Sequence, residues 1–153
     1  MKISVLGINK NELQSGKNLA DMGNEIIYVC KDSERIADIK RGYCTESERE
    51  ILKSINKKKK KIDFTADLRE ALHHSSMCFI SESNIGGTDE LFSILSNAKE
   101  VGANMSNHTF IIDRSSLDIN RVNHIKDTVQ TELDKRASNL TFEVISDRNF
   151  LRA

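Results

Sequence analysis

Short runs of β-branched and aromatic residues alternate along the chain with longer stretches in which apolar residues recur every three to four positions, the mark of strands interleaved with helices. The strand-like runs are 2–7, 25–30, 61–64, 76–81, 109–113 and 142–146. Between the first two, Leu13, Leu19, Ala20 and Met22 share a helical face ahead of Gly23, a glycine placed to stop the helix. Stretches 33–41 and 46–55 predict two more helices, the second amphipathic through Ile51, Leu52 and Ile55. Asp67 is placed to cap a short helix over 68–73, and Thr88 a longer one over 89–104 with a stripe of Leu91, Ile94, Leu95, Ala98 and Val101. Asp118 opens the last helix, through Ile119, Val122, Ile125, Val129 and Leu133. Strands that alternate with helices in this way predict an α/β domain built on a largely parallel sheet.

Composition narrows the reading. A chain of 153 residues, 38% hydrophobic and 30% charged, suits one globular domain over 1–153. Its longest apolar runs, 26–30 and 110–112, fall far short of the roughly 18 residues that a membrane span requires. The start MKISVLGIN has no small-residue cleavage site, so a cytoplasmic location is expected. Cys30, Cys44 and Cys78 are odd in number and lack metal or redox spacing, which fits a reducing compartment. With 23 basic and 23 acidic residues, no net field draws the chain to nucleic acid or a membrane. The lysines at 57–61 read as a solvated turn, since no aromatic platform accompanies them. His73 and His74 fall at a helix end, where they complement the dipole, and no third ligand is spaced to make a metal site with them. Proline is absent, although average usage of about 5% predicts roughly eight.

The candidate chemistry lies where the first strand meets the first helix. Gly7-Ile8-Asn9-Lys10-Asn11-Glu12 occupies the place of a G-x-G-x-x-G dinucleotide loop, and six strands is the count of a complete dinucleotide-binding fold. Gly7 supplies the tight turn. Asn9 stands where a bare backbone approaches the pyrophosphate, and its tolerance of positive φ predicts that the loop shape survives. Glu12 replaces the glycine that permits close helix–strand contact. Pointing inward it fills the site and repels phosphate; pointing outward it only complements the helix end. About 20 residues on, where an acid would hold the ribose hydroxyls, stands Cys30, followed by Lys31 and Asp32. Asp32 reaches the ribose only if the strand end shifts, and Cys30 reads as a small buried strand residue.

The segments MKISVLG, SGKNLADMGNEIIYV, FTADLREAL, CFIS, AKEVGANM, FIIDRSS and VISDRNFLR, in this order over nearly the whole chain, resemble the N-terminal NAD-binding domain of the UDP-glucose/GDP-mannose dehydrogenase family. The resemblance implies a Rossmann-like, doubly wound, mostly parallel six-stranded sheet with helices on both faces. It also implies NAD as the cofactor of a working cleft, and oxidation of a nucleotide sugar through a cysteine on a later domain that lies beyond this chain. Position by position, Gly7 matches the first loop glycine, while Asn9 and Glu12 replace the second and third, with Lys10 and Asn11 between them. Cys30 replaces the ribose-binding aspartate, next to Lys31, and Arg35 matches a basic residue near that ribose. After the fourth strand, Ser81 leads into Ser83, Asn84 and Ile85 in place of a Gly-Thr-Pro turn beside the cofactor. Ser116 keeps a hydroxyl at the position of a threonine that helps the chemistry, and Asn149 stands at a catalytic glutamate, where an amide cannot serve as a general base. The missing prolines belong to these same segments.

The expectation is therefore a stand-alone, degenerate domain of this family without dehydrogenase activity of its own, acting through a partner or an altered nucleotide ligand. No catalytic residue, cofactor or metal is assigned to it. The alternative is an NAD-binding domain, either a fragment or one completed by a partner chain, that oxidises a UDP- or GDP-sugar. A homodimer is expected through the last helix, whose apolar face would otherwise meet water.

Overall fold

The computed structural model describes residues 1–57, 62–80, 90–113 and 119–146. The elements run β1 (Lys2–Leu6), α1 (Lys10–Asp21), β2 (Glu25–Val29), α2 (Ser33–Lys40), α3 (Glu46–Lys57), β3 (Ile62–Thr65), α4 (Leu68–His73), β4 (Met77–Ile80), α5 (Glu90–Asn104), β5 (Thr109–Asp113), α6 (Ile119–Lys135) and β6 (Phe142–Ser146). Every strand pair is parallel, and the sheet order is β3-β2-β1-β4-β5-β6. The order reverses between β1 and β4, which opens a crevice at the carboxyl ends of those two strands.

Each face of the sheet has its own core. Ile94, Ala98, Val101, Ile125, Val129 and Leu133 of α5 and α6 pack with Leu68 and Leu72 of α4 against one face. Leu13, Leu19, Ile36, Ile39 and Ile51 of α1, α2 and α3 pack on the other, around Ile3, Val5, Ile26 and Tyr28. Gly23 stops α1 at φ +97°, with the Schellman pair Gly23 N–H to Ala20 and Asn24 N–H to Leu19. Met22, expected on the apolar face of α1, is the C-cap residue instead and is 58% exposed, because the helix ends one residue before it. Asp67 caps α4 through the Glu70 N–H, whereas Thr88 and Asp118 lie outside the described residues.

The α6 stripe of Val122, Ile125, Val129 and Leu133 is spent on the domain's own core. Among the described residues of α6 the exposed ones are polar, Asn123, His124, Lys126 and Gln130 among them. Among the described residues, no helix is long and apolar enough to cross a membrane.

Sequence reasoning missed one contact altogether. Tyr28 is fully buried and reaches across to α1, where its hydroxyl donates to the Leu13 carbonyl at 2.7 Å and takes the Lys17 N–H. It therefore bridges a helical i to i+4 pair, and Gly16 makes the room: a β-carbon there would lie 2.1 Å from the Tyr28 oxygen. Phe64 stacks on the ring at 5.1 Å. Burial pushes the phenol up, against the opposing effect of the Lys17 hydrogen bond.

Candidate functional site

Among the described residues, those just past the carboxyl end of β1 border the crevice, with those past β2 beside them. Gly7 turns the chain at φ +112°, its N–H bonded to Val29 O at 2.8 Å, a conformation that a side chain would strain. The turn predicted for this glycine is thus formed. Asn9 is the N-cap of α1, and its carbonyl accepts the Leu13 N–H at 2.9 Å. Its φ of −74° is that of an extended N-cap residue, so its tolerance of positive φ is not called on here. Asn9, Lys10 and Asn11 are all exposed.

Glu12 turns inward. It is 6% exposed and lies against the glycine turn, where a β-carbon on Gly7 would meet its Oε1 at 2.7 Å and its Cγ at 3.0 Å. The chain's own carboxylate thus occupies the space that a bare glycine leaves above the loop. The close approach of helix to strand that position 12 would have allowed occurs one turn later, at Gly16.

The ribose corner is equally committed. Cys30 is half-buried on the α1–α3 core, with its thiol directed to Asp32 O at 3.7 Å. Asp32 caps α2, accepting from the Glu34 and Arg35 N–H groups at 3.0 and 3.3 Å, and so does not take the place of the missing acid. Arg35 faces α3: its Nη2 lies 2.6 Å from Glu48 Oε1. Glu48 also accepts the Thr45 N–H at 3.1 Å while its own N–H reaches the Thr45 hydroxyl, a capping box that opens α3. Lys31 pairs with Glu100 at 3.0 Å on the surface. The basic side chains at this corner, Lys31 and Arg35, therefore each meet a carboxylate.

Across the crevice, Asp113 at the end of β5 is fully buried, 2.8 Å from Arg121 Nε in the first turn of α6. Sequence reading passed over this pair because its members lie on separate elements. Ser81, Ser83, Asn84, Ser116 and Asn149 lie outside the described residues. Among the described residues, no group of three or more His, Cys, Asp or Glu side chains is arranged to hold a metal ion.

An all-parallel sheet in the order 3-2-1-4-5-6, with a glycine turn feeding a helix at its centre, defines a Rossmann-type domain of the dinucleotide-binding class. Within that class the chain belongs to the UDP-glucose/GDP-mannose dehydrogenase family, whose NAD binding domain model matches residues 1–153. It is 26% identical to the UDP-glucose 6-dehydrogenase of Pseudomonas aeruginosa over 99% of this chain and 35% of that protein. Identity to the Rhizobium meliloti UDP-glucose 6-dehydrogenase is 28%, with the same coverage of 99% and 35%. The chain thus spans about a third of the length of these relatives. Among solved structures, a UDP-glucose dehydrogenase from the archaeon Pyrobaculum islandicum superposes with a TM-score of 0.74 at 17% identity, covering 95% of this chain and 35% of that one. A Pseudomonas aeruginosa GDP-mannose dehydrogenase gives 0.69 at 19% identity, over 99% and 38%. At these identities the superpositions speak for the fold alone.

Proposed function

We propose that this chain is a domain of the nucleotide-sugar dehydrogenase family whose cofactor cleft does not take NAD, and that it acts through a protein partner or an altered nucleotide ligand. The observation that carries this reading is Glu12, buried against Gly7 at the turn where a pyrophosphate would approach. A carboxylate held there opposes the charge that a helix N-terminus otherwise attracts. The ribose corner supports the same reading: Cys30 cannot replace a carboxylate that accepts two hydroxyls, Asp32 is spent on α2, and Arg35 is held by Glu48. On this reading the described residues of the loop and the ribose corner do not fit NAD, and no oxidation step is assigned to them.

Calorimetry with NAD, NADP, ATP and UDP-sugars tests the reading, run beside a Glu12→Gly, Asn9→Gly, Cys30→Asp variant. The wild type gives no heat with NAD, and the variant gains binding because the crevice keeps its shape. Micromolar binding of NAD by the wild type overturns the proposal.

A second reading is favoured by the family match through residue 153 and by the greater length of the relatives. In it the chain supplies the NAD-binding part of a nucleotide-sugar 6-dehydrogenase completed by further sequence or by a partner chain. NAD reduction on adding a cysteine-bearing second domain in trans supports it, and its absence counts against it. A self-paired form is tested by sedimentation at tens of micromolar, where a monomer mass independent of concentration removes it.

A further inference from the structure

At the amino ends of the strands, on the edge of the sheet opposite the crevice, a groove of about 360 Å³ opens between β1, the end of α4 and the approach to β5. Three of the chain's 4 histidines, His73, His74 and His108, line it. Two of these rings are oriented in the same way: the Ser106 hydroxyl lies 3.2 Å from His73 Nδ1, and the Thr141 hydroxyl 2.7 Å from His108 Nδ1. The hydroxyl engages Nδ1 in both, so Nε2 is the nitrogen that each hydroxyl partner leaves to other ligands, and it carries the ring proton when the hydroxyl donates. Phe110 packs edge-on to His108 at 5.0 Å and restrains that ring further.

The surroundings favour a negative occupant. Lys2 adds a cation, loosely paired with Glu25 at 4.0 Å, and no carboxylate appears among the described residues lining the groove. Asn107 donates to the His73 carbonyl at 2.9 Å and, at 3.5 Å, to that of Leu72, so the oxygens at the end of α4 are satisfied rather than turned against an anion. A metal suits the groove less well: the His73 and His74 rings stand at 75° to one another, and no three ligand side chains converge among the described residues.

We propose that this groove binds the oxyanion group of a small ligand through the Nε2–H groups of His73 and His108 and the Lys2 ammonium. The charged groups on the surrounding elements include the Met1 α-ammonium, which lines the groove, Lys2 on β1, Glu25 on β2, Asp67, Arg69 and Glu70 at the start of α4, and Glu143 on β6.

Sulfate is the probe, a compact oxyanion that carries no other binding group. Imidazole carbon–proton NMR signals are followed at constant ionic strength maintained with sodium chloride, with the exposed His124 on α6 as internal reference. The His73 and His108 signals shift saturably as sulfate is added, while His124 stays in place. In a His73→Gln, His108→Gln variant of unchanged melting temperature, the remaining His74 signal no longer saturates. Sodium acetate in place of sulfate assigns the preferred geometry, an equal response pointing to carboxylates and a weaker one to tetrahedral oxyanions. A linear drift common to all four histidines overturns the proposal, as does a response to micromolar zinc chloride with none to sulfate.

Discussion

The two faces of the sheet are packed by different means. Beneath α4, α5 and α6 the core is nearly all aliphatic, and α5 approaches α6 closely at Gly102, where a β-carbon would lie 3.0 Å from Val129 and Glu132. Beneath α1, α2 and α3, the core holds a tyrosine whose hydroxyl enters the hydrogen-bond ladder of a helix. At its crevice edge two carboxylates, Glu12 and Glu48, are turned inward. The first face relies mainly on shape, with its buried ion pair, Asp113 and Arg121, at the end of β5. The second carries buried polar side chains beneath its helices, Tyr28, Glu12 and Glu48 among them.

The same substitution on both faces is the sharpest way to break this comparison. Gly16→Ala drives a β-carbon to 2.1 Å from a tyrosine that is pinned by the helix and by Phe64. The cost is about 3 kcal/mol. For a domain of this size that corresponds to a melting temperature lower by roughly 6–12 °C. In a Tyr28→Val background the added methyl costs nothing further, because the atom it would strike is gone, and a double-mutant cycle measures this.

Alkaline pH probes the interior of both faces. Burial pushes the Cys78 thiol up to about 12 from 9.0, against the opposing hydrogen bond from Ser4, and it raises the Tyr28 phenol as well. Above pH 9 the unfolded chain releases the thiol proton while the folded chain retains it, so the folded state binds more protons and stability falls as pH rises towards 12. Below pH 9 this contribution is fully present. Urea titrations at stepped pH should show the decline start near 9 and become shallower in Cys78→Ala.

Single side-chain contacts carry smaller effects. Tyr28→Phe removes the donor to Leu13 O and the acceptor for the Lys17 N–H, at a cost of about 1–2 kcal/mol by urea unfolding. Arg35→Met leaves the buried Glu48 carboxylate with only its Thr45 partner and costs about 1 kcal/mol. Gly102→Ala comes last. Its crowding is offset by helix propensity, and the change stays within about 1 kcal/mol of zero. Equal losses at Gly16 and Gly102 would remove the distinction between the faces.

The parts of the fold that depend on one segment at a time were legible in the sequence. Apolar spacing placed the stripes of α5 and α6, and Gly23 marked the end of α1, because periodicity and the left-handed preference of glycine act within a few residues. Strand ends were read one residue too long at Gly7 and Cys30, both of which lie just past the ladder. The place of the loop was equally readable from strand, glycine and helix in succession. Its contents were not. The direction of Glu12, the hold of Glu48 on Arg35 and the fit of Tyr28 into Gly16 all join side chains from different elements, and no local pattern encodes them. A tyrosine in a strand and a glycine in mid-helix were the only hints, and they gain meaning only as a pair.

If Glu12 closes the dinucleotide loop to NAD, as proposed, the amide signal of Gly7 reports it directly, because Glu12 lies against that turn. With NAD added to millimolar concentration, the wild-type Gly7 signal should stay where it is, while in the Glu12→Gly, Asn9→Gly, Cys30→Asp variant it should shift and saturate. A saturable shift of Gly7 in the wild type, of the same size as in the variant, would contradict the account.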